Sequence, residues 1–236
     1  MLLRPLIELH EFFAFAHTVS MTKEKLTVET VLKVLKKEYP KADCTLDWRT
    51  PLELLVATIL AAQCTDERVN KVGKTLFQKY KKPQDYLAVS QKELEKDIHS
   101  CGTYRMKAKA IQQSCTTILE EFDGKMPRMM EEMLTLRGVG RKTAAIVLGT
   151  AFGIIEGIPI DTHNMRLLRR LGLTRKQTQD KIELDMMAKT PKKDWIHLSH
   201  LMVAHGRAIC HARKPECDKC VFAHTCPSSS VHLKKK

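Results

Sequence analysis

The chain has 236 residues, of which 43% are hydrophobic and 28% are charged, a composition typical of folded globular proteins and not of disordered or membrane-embedded chains. This length allows one large domain or two small domains with a hydrophobic core. The formal net charge of +13 favours a polyanionic partner, DNA or RNA above all, although many small basic proteins bind no nucleic acid.

Residues 1–20 are partly apolar but are interrupted by charged and histidine side chains. No apolar run there is long enough to cross a bilayer, and no basic segment precedes a long apolar core. We therefore predict an N-terminal extension and no cleaved signal peptide. The protein is expected inside the cell, in the cytoplasm or nucleoid if the host is a prokaryote.

The first predicted helices have clear start signals and apolar faces. Residues 27–39 place apolar side chains on one helical face and lysines on the other. Thr50 and Glu53 form a predicted capping box around Pro51, and the following helix is apolar on all sides, so we expect it to be central and buried. Further helices are expected over about 67–80, from Ser90 to about 98, and over 104–121.

The second half of the sequence also has a helical pattern. Helices are expected from Pro127 to Leu136, directly after Asp161, and over about 177–189 and 194–208. No segment alternates in the way a strand does, so the predicted fold is all-α with roughly ten or more helices. Residues 227–236 are expected to form a basic tail.

The stretch from Leu136 to Asp161 contains two glycines, a basic pair and a helix of small residues before a single carboxylate. Gly138 and Gly140 allow the backbone to turn sharply and its N–H groups to approach a ligand. The following helix adds its N-terminal dipole at the same place, which suits a phosphate. Lys142 and Asp161 suit covalent chemistry at a nearby carbon, but an ordinary helix–helix turn with surface charges explains this stretch alone almost as well.

Four of the eight cysteines lie close together, in the pattern C-x6-C-x2-C-x5-C, and the other four are scattered. Four thiolates at this spacing can surround a zinc ion or an iron–sulfur cluster. Because only one close C-x2-C pair is present, we favour a [4Fe–4S] cluster; two disulfides are disfavoured inside a cell. The close group comprises Cys210, Cys217, Cys220 and Cys226. The scattered cysteines, expected to be free thiols, are Cys44, Cys64, Cys101 and Cys115.

The first gap of the cysteine pattern carries Arg213 and Lys214. A loop fixed at both ends by metal ligands would present these side chains rigidly to phosphates. Two solvent-facing charges are an equally good explanation from the residues alone.

The motifs LRGVGRKTAAIVLG and IDTH, followed by the four-cysteine pattern, resemble the endonuclease III family of DNA glycosylases in the helix-hairpin-helix superfamily. The resemblance extends from about Thr27 to Cys226, and LAAQCTDERVN also matches in character and place. It implies two helical domains with a DNA cleft between them. A six-helix barrel with the helix-hairpin-helix motif would span 44–154, and an iron–sulfur cluster domain would combine the N- and C-terminal helices of 21–43 and 155–226.

The resemblance also implies roles for individual residues. Lys142 and Asp161 match the family's catalytic pair, and Gln63 matches the residue that fills the gap left by an extruded nucleotide. The four C-terminal cysteines match the ligands of the family's [4Fe–4S] cluster. Lys214, next to Arg213, matches a basic residue of the cluster loop that faces DNA. The hairpin residues expected to bind the DNA backbone, mainly through amides, are Leu136, Gly138, Val139, Gly140 and Arg141.

Two positions depart from the family's pattern. Thr103 stands where the family often has a leucine wedge, so the residue expected to contact DNA there is less apolar. Glu216 stands where a basic residue is often found, which weakens the predicted phosphate contact of the cluster loop. Neither departure affects Lys142 or Asp161.

The function implied by the resemblance is a bifunctional DNA glycosylase and AP lyase of base excision repair. It would act as a monomer on double-stranded DNA containing oxidised pyrimidines, such as thymine glycol, or abasic sites, through a Schiff base on Lys142 and β-elimination. A monofunctional glycosylase for thymine or uracil opposite guanine is the first alternative, and Lys142 argues against it. A non-catalytic helix-hairpin-helix DNA-binding protein is the second, and the joint match of Lys142 and Asp161 argues against that.

Overall fold

The computed structural model describes residues 25–233, and every regular element in that range is helical. The all-α prediction is therefore confirmed, whereas the predicted extension 1–20 lies outside the described residues. The α-helices are α1 Val28–Glu38, α2 Pro51–Ala61, α3 Asp66–Lys79, α4 Pro83–Leu87, α5 Gln91–Asp97, α6 Tyr104–Phe122, α7 Met130–Thr135, α8 Arg141–Phe152, α9 Thr162–Arg170, α10 Gln179–Met187, α11 Trp195–Ala208 and α12 Ser230–Leu233. Short 3-10 turns occupy His99–Cys101, Lys192–Asp194 and Cys217–Lys219.

Helix starts follow the capping residues of the sequence. Thr50 Oγ1 accepts a hydrogen bond from the Glu53 backbone N–H at 3.2 Å, and Glu53 Oε2 accepts one from the Arg49 N–H at 2.6 Å. Ser90 caps α5 in the same way, accepting from the Glu93 N–H at 3.2 Å. Each cap satisfies backbone donors that the first helical turn leaves without partners, so these polar residues determine where the helices begin.

The first hydrophobic core is built around α2. Nearly the whole of this helix is buried, as its lack of a polar face predicts, and it packs against α3, α6 and α8. Residues from Leu46 to Leu148 supply the buried side chains of this core. The short helix α4, which no sequence pattern indicated, packs along α6 and contributes the fully buried Tyr86.

The second core is formed by residues far apart in the sequence. The apolar face of α1 packs against α11, and residues 158–222 provide the remaining buried side chains. The apolar face of α1 is thus buried by a partner from the C-terminal half of the chain. The domain limits expected at 43/44 and 154/155 remain a prediction, and the two cores are consistent with them.

The two cores touch where α8 meets α11. Gly149 permits this contact, because a Cβ atom there would lie 2.5 Å from Cδ1 of Ile196. A second link is polar: Arg207 of α11 donates to Asp66 Oδ2 at 2.6 Å and to Thr45 Oγ1 at 3.1 Å. The hydroxyl of Thr45 also donates to Asp66. These bonds connect the C-terminal core to the start of α3.

The segment predicted as a basic tail contains α12, and Ser229 before it is buried at 1% exposure. Within residues 25–233, no helix has the length and apolar character needed to cross a membrane.

The ion pair between Asp66 and Arg207 should contribute to stability in a pH-dependent way. Burial by itself raises the pKa of Asp66, but hydrogen bonds from Thr45 and Arg207 and the charges of Arg207 and Lys142 lower it below its usual value. Because the folded-state pKa lies below the unfolded one, the contribution is present above the ordinary aspartate pKa of about 3.9 and is lost as the pH falls through the folded-state value.

A double-mutant cycle with Asp66→Asn and Arg207→Gln, read by urea unfolding, should give a coupling free energy of about 0.5–1 kcal/mol at pH 7, since Arg207 is half exposed. The coupling should be unchanged at pH 5 and should decline below about pH 4. No coupling at pH 7 would show that the link between the cores carries no stability.

Candidate active site

The turn between α7 and α8 has buried side chains and an exposed backbone. Leu136 and Val139 are 2% and 7% exposed and belong to the first core. Gly138 has a φ of +78°, and a Cβ atom there would approach the Cβ of Ala110 to 3.1 Å, so glycine is required at this position. Ser114 of α6 donates to the carbonyl of Arg137 at 2.8 Å. Buried side chains and this hydrogen bond therefore hold the turn in place.

The N-terminus of α8 is open to a ligand. Gly140 is the N-cap residue, no side chain caps this helix, and a Cβ atom at Gly140 would meet nothing within 4 Å. The first N–H groups of α8 have no intrahelical acceptors, and the helix dipole adds partial positive charge there. This arrangement suits the oxygen atoms of a phosphate group.

Lys142 is exposed on the first turn of α8, and its charge lowers the pKa of Asp66. Its charge therefore acts on the part of the molecule where the two cores meet. Its neighbour Arg141 is engaged within the protein, because its Nε donates to both carboxylate oxygens of Glu183 at 3.0 and 3.1 Å and its Nη2 donates to the Glu156 carbonyl at 3.2 Å. Contact between Arg141 and DNA remains a prediction, and no sequence pattern indicated this ion pair between α8 and α10.

Asp161 is the N-cap residue of α9, and a buried amide holds its carboxylate. Oδ1 accepts hydrogen bonds from the backbone N–H of Asn164 at 2.7 Å and from Asn164 Nδ2 at 2.8 Å. Asn164 is fully buried, and its amide also contacts Ser199 Oγ at 3.2 Å, which in turn donates to the Pro159 carbonyl at 2.7 Å. Because both bonds reach Oδ1, Oδ2 receives none from the described residues.

Asn164 is a site residue that sequence reasoning missed. A polar side chain following IDTH gives a usable signal only when the helix N-cap at Asp161 is recognised, since the third residue beyond an N-cap lies next to the capping side chain. The structure adds that this amide is buried and connected to α11, so it fixes the direction of the carboxylate.

A cleft lies between the two cores beside these residues. The charge of Lys142 acts on Asp66, and the charge of Asp161 acts on His163. Burial lowers the pKa of His163, and the charge of Asp161 opposes part of that decrease. Both Asp66 and His163 line this cleft, so the charges of Lys142 and Asp161 both act on its lining. The cleft residues are Cys64, Thr65, Asp66, Glu67, His163 and Arg207.

Gln63 and Thr103 are exposed and have left-handed backbones, with φ values of 55° and 40°. Among the residues described, Asp123 is the one other non-glycine residue with positive φ. Such a conformation costs about 1–3 kcal/mol and is often found at functional sites. Both residues predicted to enter the DNA duplex therefore lie in strained, exposed turns, a property that the sequence did not indicate.

The four C-terminal cysteines, Cys210, Cys217, Cys220 and Cys226, line one cavity of about 420 Å³, part of it open to solvent. Apolar side chains, among them Leu167 and Phe222, form much of its remaining wall. Within residues 25–233, no group of three or more His, Cys, Asp or Glu side chains is placed to hold a metal ion directly. The thiols thus surround a space instead of converging on one point.

N–H groups surround these sulfur atoms. Arg170 Nη1 donates to Cys210 Sγ at 3.4 Å, and the Phe222 backbone N–H donates to Cys220 Sγ at 3.4 Å. His205 Nε2 also lies 3.4 Å from Cys220 Sγ. Donors and a positive charge of this kind stabilise thiolates.

Arg213 and Lys214 are exposed on the loop between the first two cysteines. Glu216, expected to weaken the positive charge of this loop, forms an ion pair with Lys219 at 2.6 Å and contacts His211 at 3.4 Å. Its charge is therefore offset locally, and its influence on the two basic side chains is smaller than the sequence suggested.

Comparison with known proteins places the chain among DNA repair enzymes. Residues 56–192 match the family described as HhH-GPD superfamily base excision DNA repair protein. The chain is 52% identical to Endonuclease III of Synechocystis sp. over 211 residues, covering 89% of this chain and 96% of that protein. It is 44% identical to Endonuclease III of Bacillus subtilis over 209 residues, covering 88% and 95%.

A solved structure described as a non-covalent Endonuclease III–DNA complex matches with a TM-score of 0.84 and 42% identity, covering 91% of this chain and all of that one. A trapped covalent Endonuclease III–DNA intermediate matches with the same TM-score and identity, covering 90% and 99%. A thermostable thymine-DNA glycosylase, at 24% identity and a TM-score of 0.74, shares the fold.

Proposed function

Since the chain belongs to the endonuclease III family of the HhH-GPD superfamily, and is thus a base excision repair DNA glycosylase and lyase, we propose that it removes oxidised pyrimidines and cleaves the strand through Lys142. The observation that carries the proposal is an exposed lysine at an uncapped helix N-terminus and a carboxylate held by a buried amide, whose charges both act on residues that line one cleft. The lysine amine suits nucleophilic attack, and the carboxylate suits stabilisation of a developing positive charge.

DNA binding would begin at the α7–α8 turn. The amides of Gly138 and of Gly140 to Lys142 would contact backbone phosphates, assisted by the dipole of α8 and by the net charge of +13, whereas the Val139 N–H donates to the Leu136 carbonyl at 3.2 Å. The exposed side chains of Arg213 and Lys214 would add phosphate contacts from the cysteine loop. The damaged nucleotide must leave the stack to reach Lys142, and weakened pairing at a lesion lowers the cost of that step.

Gln63 and Thr103 would support the opened duplex. Gln63 would fill the space left by the extruded nucleotide, and Thr103 would contact the opposite strand with a smaller apolar surface than the family's leucine. Their strained turns hold the two side chains outward before DNA binds, so less ordering is required on association.

The chemistry would start with attack of the Lys142 amine on C1′ of the extruded nucleotide, and the base would leave with the electrons of the glycosidic bond. Asp161 Oδ2 would stabilise the positive charge that develops on the sugar, while Asn164 holds Oδ1. Ring opening gives a Schiff base between Lys142 Nζ and C1′. Loss of a proton from C2′ then expels the 3′ phosphate by β-elimination and cleaves the strand.

The cavity of the four cysteines would hold a [4Fe–4S] cluster. The donor set fits this group, because four thiols with nearby N–H donors surround an apolar space and do not converge on one ion. The cluster would have a structural role, fixing the loop that presents Arg213 and Lys214. We infer that the enzyme acts as a monomer inside the cell, where damaged chromosomal DNA is found.

Replacing Lys142 with glutamine should reduce strand cleavage on an abasic-site duplex by roughly 10³-fold or more, because the nucleophile is lost. The Kd for that duplex should change by about threefold or less, since one charge is removed. Cleavage is followed on denaturing gels, with Lys92→Gln, an exposed lysine of α5, as the matched control. Cleavage at the wild-type rate by the Lys142 variant would refute the assignment.

Replacing Asn164 with leucine should lower the single-turnover rate of base release about tenfold, because the carboxylate of Asp161 loses its buried support. Stability should fall by about 1–3 kcal/mol, because the buried amide loses its hydrogen bonds to Asp161 and Ser199. A lower melting temperature with an unchanged rate would assign Asn164 a purely structural role.

Replacing Cys220 with serine should lower the bound iron and sulfide, which we expect at about four of each per wild-type chain. Iron and sulfide are measured on protein purified without oxygen, with Cys44→Ser as the control because Cys44 is half buried outside the cavity. One zinc ion per chain and no sulfide would contradict the assignment of the cluster.

A further inference from the structure

Two of the scattered cysteines meet at the base of the strained turns. Cys64 follows Gln63 directly, and Cys101 ends the 3-10 turn two residues before Thr103. The Cys64 thiol lies close enough to the Cys101 thiol to raise its pKa. Cys101 is buried at 1% exposure, whereas Cys64 is half buried and lines the cleft. One thiol of the pair is therefore accessible from the cleft, and the other is buried.

A buried lysine connects the same two turns. Lys107 is 4% exposed, and its Nζ donates to the Leu60 carbonyl at 2.8 Å and to the Cys101 carbonyl at 2.6 Å. The C-terminal end of α2 and the turn before α6 are thus held at one point, close to the two thiols. A covalent bond between Cys64 and Cys101 would add a second connection between segments that already lie together.

The surroundings of the pair indicate an order of reaction. Burial and the neighbouring Cys64 thiol raise the pKa of Cys101 to about 11, while the charges of Lys107 and Arg68 act in the opposite direction. Cys101 is therefore mostly a protonated thiol at neutral pH and reacts slowly with an oxidant from solution. Cys64, which reaches the cleft, is the first position that a small oxidant can attack.

We propose that Cys64 and Cys101 form a reversible disulfide under peroxide and that this bond suppresses DNA processing. Hydrogen peroxide would oxidise the Cys64 thiol to a sulfenic acid and release one water. The Cys101 sulfur would then attack the Cys64 sulfur, and the departing hydroxide would take the Cys101 proton and leave as a second water. Two thiols and one peroxide thus give one disulfide and two waters, and an added dithiol reverses the change.

The disulfide would act on Gln63 and Thr103 through the backbone. It would fix the two Cβ atoms about 3.8 Å apart and so shift the two turns from the positions in which they hold Gln63 and Thr103 outward. The functional consequence rests on the proposed roles of Gln63 and Thr103 in the opened duplex. A displacement of about 1 Å at such contacts can cost on the order of 100-fold in rate, so we expect at least a tenfold loss.

The test uses the full-length protein with its cluster, treated with diamide as the two-electron oxidant. Free thiols are blocked, and peptide mass spectrometry should identify a Cys64–Cys101 link. Cleavage of an abasic-site duplex should fall at least tenfold, the Kd for a duplex with a tetrahydrofuran abasic analogue should rise, and dithiothreitol should restore both. Iron and sulfide content is measured in parallel, so that cluster damage is recognised separately.

Matched variants decide the outcome. Cys64→Ser and Cys101→Ala, each compared with its own reduced form, should keep their activity after diamide, whereas Cys44→Ser should lose activity as the wild type does. Absence of the linked peptide, or a linked protein with unchanged cleavage and Kd, would overturn the proposal. If the reduced protein cleaves no duplex, the proposed function fails instead, and the linked peptide and the Kd still test the disulfide.

Discussion

The burial of Leu136 and Val139 is the constraint on which the site depends. Their side chains hold the α7–α8 turn in the first core, the Val139 N–H closes the turn by donating to the Leu136 carbonyl, and the N-terminus of α8 is left without a side-chain cap. Gly138 supplies the one left-handed residue that this turn requires. A turn fixed by buried side chains can bind a phosphate without first being ordered, and it places Lys142 on the first turn of α8.

The second core holds the carboxylate of Asp161 in place. It combines α1 with helices from the other end of the chain, and it buries Asn164 and Ser199 behind the carboxylate. Contacts between the cores, at Gly149 with Ile196 and at Asp66 with Arg207, keep the two halves of the site together. The cleft is thus a product of both cores, which explains why neither segment alone identifies the chemistry.

Sequence reasoning reached the features that depend on local order. Capping residues such as Thr50 and Ser90 predicted where helices begin, and the uniformly apolar sequence of α2 predicted a buried helix. The cysteine spacing predicted that four thiols share one site, and all four line one cavity. It did not reach features that need two distant segments, such as the pairing of Arg141 with Glu183. The left-handed backbones of Gln63 and Thr103 were also missed, because neither residue type signals positive φ.

The most direct test of the account is borohydride trapping on duplexes that carry either one thymine glycol or one G·T mismatch. Borohydride reduces a Schiff base to a stable amine, so a covalent protein–DNA adduct reports the Lys142 intermediate. The account predicts an adduct with thymine glycol that is absent in Lys142→Ala. Release of thymine from the mismatch without an adduct on either duplex would contradict it, because the enzyme would then be monofunctional.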